Sequence, residues 1–204
     1  MTPRILLFDL GGVLVDLGDP VAAIGLDMTS EEFWTTWLSS PLVREFETGK
    51  LSRSEFLARF GAQLGLHDAN EFERRMRGWR LPLYEDAKAL LHTLLGKVEI
   101  ALLSNTNEIH WQHVVSQTSL FAEFSKLFLS FETGNAKPDA AAFRDVVAHF
   151  GCVPGEIVFL DDNVHNIAAA SSLGLRARQV KGPVEVRQAV REFFPATLPA
   201  QSVC

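Results

Sequence analysis

The chain has 204 residues, 47% of them apolar and 22% charged, enough for one globular domain or one domain with an insert. A net charge of −6 without a block of like charge argues against nucleic acid or an anionic membrane surface as a partner. No apolar run approaches the ~20 residues that span a bilayer, the start Met-Thr-Pro-Arg lacks a signal-peptide pattern, and the two separated cysteines, Cys152 and Cys204, make neither a metal cluster nor a disulfide framework, so the expected location is the cytoplasm.

The apolar run Ile5-Leu6-Leu7-Phe8 is closed by Asp9 and followed by Gly11 and Gly12, which reads as a buried strand of a parallel sheet. A second apolar run leads to Asp16, read as a loop or hinge residue. From there the periodicity turns helical for about sixty residues. Thr29 with Glu32, and Ser52 with Glu55, have capping-box spacing, and Asp68 with Glu71 marks a further helix start. Phe33, Trp34, Trp37 and Leu38 mark one helical face. Pro41–Glu47 reads as a short helix before a Thr48-Gly49-Lys50 turn, and Arg44 and Glu47 precede that turn, which can dip toward a substrate. This helical stretch holds Trp34, Trp37 and Trp79, which form its core or, for a few of its aromatics, line a pocket.

The alternation of strand and helix resumes at Leu81-Pro82. Tyr84, Ala87, Leu90, Leu91 and Leu94 have helical spacing, and Val98–Leu103 is a second buried strand ending in Ser104-Asn105. A helix follows with Trp111, Val114, Val115 and Thr118 on one side. Leu127–Phe131 reads as a third strand, and the loop Gly134–Asp139 leads into a helix carrying Phe143, Val146, Val147 and Phe150, with Pro138 at its start. Ile157–Leu160 is a fourth strand ending in Asp161-Asp162-Asn163, its helix stopping at Gly174. Arg176–Val180 is a fifth strand, Val186, Ala189, Val190 and Phe193 mark a last helix, and Pro195–Cys204 is expected to be loose. Strands alternating with helices predict an α/β fold, a Rossmann-like parallel sheet with helices on both faces, plus an inserted all-helical unit.

Asp9, Ser104-Asn105, Lys137 and Asp161-Asp162 are read at the ends of four consecutive predicted strands, which in a parallel sheet open on one crevice. Asp9 and Asp162 are hard oxygen ligands of the kind Mg²⁺ prefers, and such clustered carboxylates repel one another without a cation. Lys137 supplies a point charge for a phosphate or a carboxylate, Ser104 before a helix can bind phosphate oxygens, and Asp9 can serve as a covalent nucleophile. His110 and His113, at i, i+3 on a helix without a third metal-type ligand, read as a solvated helix face, and His165 as a surface residue.

These segments together resemble the haloacid dehalogenase superfamily: Phe8-Asp9-Leu10-Gly11-Gly12-Val13-Leu14 its first motif, Leu103-Ser104-Asn105-Thr106 its second, Lys137-Pro138-Asp139 its third and Phe159-Leu160-Asp161-Asp162-Asn163 its fourth. The resemblance implies a core of residues 1–16 and 80–204 and a helical cap of 17–79. It implies Asp9 as nucleophile, Ser104 and Asn105 on the phosphate, Lys137 as charge neutraliser, and Mg²⁺ held by Asp9, the carbonyl of Gly11 and Asp162, with Asp161 nearby or ligating. Phosphatases of the family carry a second Asp, the general acid/base, where this chain has Gly11. Loss of such a group costs ~10²- to 10⁴-fold in rate.

The expectation is therefore a Mg²⁺-dependent phosphatase of a small phosphorylated metabolite, such as a sugar phosphate, because sugar-1-phosphate phosphatases of the superfamily share the Asp-Leu-Gly start. The alternatives are a metal-free 2-haloacid dehalogenase, whose halide leaves without a proton, and a non-catalytic binding protein. No protein partner is indicated.

Overall fold

The computed structural model describes residues 2–198. A five-stranded parallel sheet has the order β3-β2-β1-β4-β5, built from β1 (Ile5–Phe8), β2 (Glu99–Ser104), β3 (Lys126–Leu129), β4 (Ile157–Asp161) and β5 (Arg176–Gln179). The first strand lies at the centre because all four of its residues are apolar and it is covered on both faces. Its side chains alternate between two cores. Leu6 and Phe8 pack with α6 (Glu85–Leu94), α7 (Glu108–Ser116) and α11 (Gly182–Phe193), whereas Ile5 and Leu7 pack with α9 (Ala140–Phe150) and α10 (Val164–Ser172). Strand order reverses at β1, so the crevice of an open α/β sheet falls beside its carboxyl end.

Between β1 and α6 the chain forms α1 (Pro20–Ile24), α2 (Ser30–Ser39), α3 (Pro41–Glu47), α4 (Arg53–Gln63) and α5 (Ala69–Gly78). Both predicted capping boxes form, at Thr29 with Glu32 and at Ser52 with Glu55, and Asp68 caps α5. The segments entering and leaving these helices run side by side. Asp16 donates its backbone N–H to Pro82, Tyr84 donates to Leu14, and Val15 bridges Leu83 antiparallel. The exposed Asp16 carboxylate accepts from the Gly18 amide at 2.9 Å, a loop role as expected. Phe33, Trp37, Phe56, Phe60, Phe72 and Trp79 are buried and pack ring on ring, with Phe46 and Phe56 stacked at 4.2 Å. Their apolar cluster is continuous with the Leu6–Phe8 face of the sheet.

Several expectations are corrected. Strand β3 ends at Leu129, and Ser130–Thr133 forms a short helix, α8. The Ser130 hydroxyl exchanges hydrogen bonds with the backbone of Thr106, at 3.0 and 3.1 Å, and so turns the chain away from the sheet. Pro138 does not start α9. That helix begins at Ala140 with Asp139 at the N-cap position, making no side-chain cap. Helix α7 buries Ile109, His110 and Val114, while Val115 is exposed, because its register follows the inserted aromatics rather than its own hydropathy. Of the segment expected to be loose, Thr197 donates to Phe194 and Leu198 is buried in the core, while Pro195 and Ala196 are exposed. Residues 199–204, Cys204 among them, lie outside the described residues.

Candidate active site

Asp9 follows β1 directly, Ser104 ends β2 and Asp161 ends β4, so their side chains emerge at one edge of the sheet. Lys137 is not at a strand end. It stands in the loop between α8 and α9, and its reach into the site is set by Asn105. The Asn105 side chain accepts from the Lys137 N–H at 2.8 Å and donates to the Lys137 carbonyl at 2.8 Å. This pair of bonds fixes the lysine backbone, so Asn105 supports Lys137 as well as facing the cavity. The fully buried ammonium then donates to Asp9 Oδ1 at 2.6 Å and to Asp161 Oδ2 at 2.7 Å.

Asp161 is fully buried and its carboxylate is engaged on both oxygens. Oδ1 accepts from the Asn163 N–H at 2.8 Å, and Asn166 Nδ2 lies 3.0 Å from each oxygen. Asp162, half-buried, lies against Gly12, where a Cβ would meet its Oδ2 at 2.6 Å. Gly12 itself has φ of +69°, a left-handed conformation that glycine adopts without strain. Ser104 is buried, and among the described residues its hydroxyl has only the Asn105 carbonyl, at 3.5 Å, as a partner, a weak bond.

The charges do not balance among themselves. Burial raises the pKa of Asp9, and the neighbouring Asp161 and Asp162 raise it further against the pull of Lys137. Burial and then Asp161 likewise raise that of Asp162. Burial opposes the charge on Lys137, but Asp161 and Asp9 outweigh it and its pKa is raised. One ammonium therefore faces three carboxylates, and one oxygen from each lies within 4.8 Å of the others. The Gly11 carbonyl accepts no hydrogen bond among the described residues. An all-oxygen donor set with surplus negative charge fits a small hard divalent cation.

A cavity of about 620 Å³ opens over these groups. Its floor holds Asp9, Ser104, Lys137 and Asp162, and its far wall is made by the inserted helices through Trp34, Trp37, Leu38, Glu47 and Trp79. Arg44 on α3 clamps that wall to the Lys137 loop. Its guanidinium donates to the Lys137 carbonyl at 3.0 Å, the Ala136 carbonyl at 3.3 Å and the Asp139 carboxylate at 2.5 Å. The turn after α3 presses on α8 so closely that a Cβ on Gly49 would lie 2.5 Å from the Phe131 carbonyl oxygen.

The reading of His110 as solvated is wrong. It is buried, stacked on Trp37 at 5.9 Å and edge-on to Trp79 at 4.7 Å. Asn107 Oδ1 accepts from the amides of Ile109 and His110, which leaves its Nδ2 facing His110 Nδ1 at 3.2 Å. Nδ1 is thus the acceptor and Nε2 carries the proton, without a partner among the described residues, in the cavity wall. Burial, with a smaller push from His113, lowers its pKa to about 3. Asn166, His110 and the clamping role of Arg44 were not legible in the chain order. The one local signal was Asn107, an N-cap residue just before α7.

A family model described as haloacid dehalogenase-like hydrolase matches residues 3–174. A D-ribitol-5-phosphate phosphatase of Bacteroides thetaiotaomicron is 28% identical over 205 residues, which covers 90% of this chain and 94% of that protein. A drimenol cyclase of Aspergillus calidoustus is 28% identical over 198 residues, but the chain spans only 36% of its length. A solved structure of a haloacid dehalogenase family enzyme of Bacteroides thetaiotaomicron, in complex with magnesium and inorganic phosphate, is similar at a TM-score of 0.73 and 28% identity, covering 88% of this chain and 94% of that one.

Proposed function

The chain belongs to the haloacid dehalogenase-like hydrolase family, and from that premise we propose that it is a Mg²⁺-dependent phosphatase of a small phosphorylated metabolite, with sugar phosphates the first class to test. The observation that carries this reading is the buried Lys137 ammonium held between Asp9 and Asp161, with Asp162 in the same oxygen cluster. In this reading residues 17–79 form a cap over a core of 1–16 and 80–204, and the protein works in the cytoplasm. Among the described residues no helix is long and apolar enough to cross a membrane.

Asp9, Asp162 and the Gly11 carbonyl would hold the ion, and Asp161, its oxygens already engaged, would position Lys137. The bound ion supplies charge neutralisation for the phosphate and for the transition state. Asp9 Oδ attacks phosphorus and is transiently phosphorylated, and water then hydrolyses the acyl phosphate. Lys137 keeps Asp9 oriented and offsets charge on the phosphoryl oxygens. Ser104, whose hydroxyl is almost free, donates to one of those oxygens. Gly11 contributes its carbonyl but no acid, so the proton for the leaving group comes from elsewhere.

A screen of phosphorylated metabolites and 2-haloacids, with and without Mg²⁺, tests the reading. The expected result is phosphate release that needs the metal and is abolished in Asp9→Asn. Release that persists in that variant, or halide release resistant to a chelator, would overturn it.

A further inference from the structure

We propose that Glu47, at the end of α3 on the cap side of the cavity, is the general acid and base of the reaction, giving a proton to the leaving oxygen and later taking one from the attacking water. This rests on the phosphatase reading above.

A phosphomonoester of an alcohol or weakly acidic phenol needs a proton donor beside its leaving oxygen. The titratable groups lining the cavity are Asp9, Asp162, Lys137, His110, Lys181 and Glu47. Asp9 is the nucleophile and Asp162 belongs to the metal cluster. Lys137 is fixed between two carboxylates. His110 has a fixed neutral ring whose remaining N–H would have to leave an imidazolate behind. Lys181, at the N-cap position of α11, is exposed to solvent. Glu47 remains, lining the same cavity as Asp9 and Ser104 from the side of the inserted helices.

The position of Glu47 is held from both sides. Arg44, one turn earlier, is tied to the Ala136–Asp139 loop, and Gly49, two residues later, rests on the Phe131 carbonyl. Three neighbours favour the charged form of the Glu47 carboxyl: the Trp37 side chain, Arg44 from its own helix and Lys137 from the loop below. Burial nevertheless prevails over these three and raises its pKa to about 7. A carboxyl poised there can be proton donor in one half-reaction and acceptor in the next.

The atoms balance over the cycle. Asp9 oxygen forms a bond to phosphorus as the bond from phosphorus to the leaving oxygen breaks, and the Glu47 proton completes the alcohol. The Glu47 carboxylate then takes a proton from water as the water oxygen bonds to phosphorus and Asp9 is released as carboxylate. Glu47 ends protonated, ready for the next substrate.

The test compares phenyl phosphate with dinitrophenyl phosphate, whose leaving group departs without a proton, in wild type and Glu47→Gln. The expected result is a loss in kcat/KM of ~10²-fold or more for phenyl phosphate and of less than about threefold for dinitrophenyl phosphate. Because kcat for the dinitrophenyl ester reports the hydrolytic half, it should fall with a burst of phenolate. Equal losses for both esters, or no loss for either, would overturn the role of Glu47 and leave the phosphatase reading intact. A wild type that releases phosphate with Mg²⁺ from neither ester nor any metabolite of the screen would overturn that reading and the role with it. A second readout is the carboxyl carbon resonance of Glu47, assigned by its absence in the variant. A titration midpoint near neutrality is expected, and one in the ordinary carboxylate range overturns the proposal. Should Glu47→Gln fail to fold, Glu47→Asp replaces it, with the same dependence on leaving group expected in weaker form.

Discussion

Acid should unfold this protein partly through His110. The ring is buried between Trp37 and Trp79, and its pKa lies near 3 in the folded chain against 6.5 for the ordinary group. The folded state therefore excludes a proton that the unfolded state accepts. The resulting penalty is absent above the unfolded pKa, grows as pH falls below 6.5, and levels off near the folded value. At pH 5 the unfolded ring is almost fully protonated and the folded ring is not, which corresponds to a loss of about 2 kcal/mol relative to pH 8 from this one residue. His110→Phe keeps a flat ring for the two indoles but cannot titrate. It leaves Asn107 Nδ2 without its partner, so it should be less stable than wild type at pH 8 by about 1–3 kcal/mol. Between pH 8 and pH 5, however, the variant should lose about 2 kcal/mol less than wild type. Urea unfolding at both pH values, with equal m-values, measures this difference and cancels the other titrating groups. An identical pH dependence in the two proteins would refute the reasoning.

Two further substitutions probe the floor and the clamp. Gly12→Ala places a Cβ 2.6 Å from Asp162 Oδ2 on a backbone with φ of +69°, so Asp162 must move. Isothermal titration with Mg²⁺ should show weakened binding, and unfolding a stability loss of about 1–2 kcal/mol. Arg44→Ala removes the bonds from α3 to the Lys137 and Ala136 carbonyls and to Asp139. Limited proteolysis should then cut the inserted helices faster, with a stability loss of about 1–3 kcal/mol, since these bonds are charge-assisted.

Period and punctuation in the chain were enough to read the layered α/β architecture. The uniformly apolar Ile5–Phe8 could only be a strand covered on both faces, and the two capping boxes determine where α2 and α4 begin. The residues collected at the site were legible for a related reason. A parallel sheet puts every strand's carboxyl end at one edge, so Asp9, Ser104 and Asp161 had to be neighbours once the strands were known.

What the chain order could not show depends on contacts between distant segments. Lys137 lies past the end of β3 and reaches Asp9 only because Asn105, 32 positions earlier, holds its backbone. His110 is polar and sits on a helix of mixed hydropathy, so periodicity assigned it to water. Its burial is decided by Trp37 and Trp79, which the fold carries over from the inserted helices. Glu47 on its own reads as one more surface acid before a glycine turn. Its raised pKa exists only where α3 is clamped against the Lys137 loop and the surrounding protein partly desolvates the carboxyl. The sequence by itself determined the strands and the acids at their ends, because local period and sheet geometry settle those. Only the tertiary structure decided which side chains close the cavity and what charge they bear there, because desolvation depends on neighbours remote in the chain.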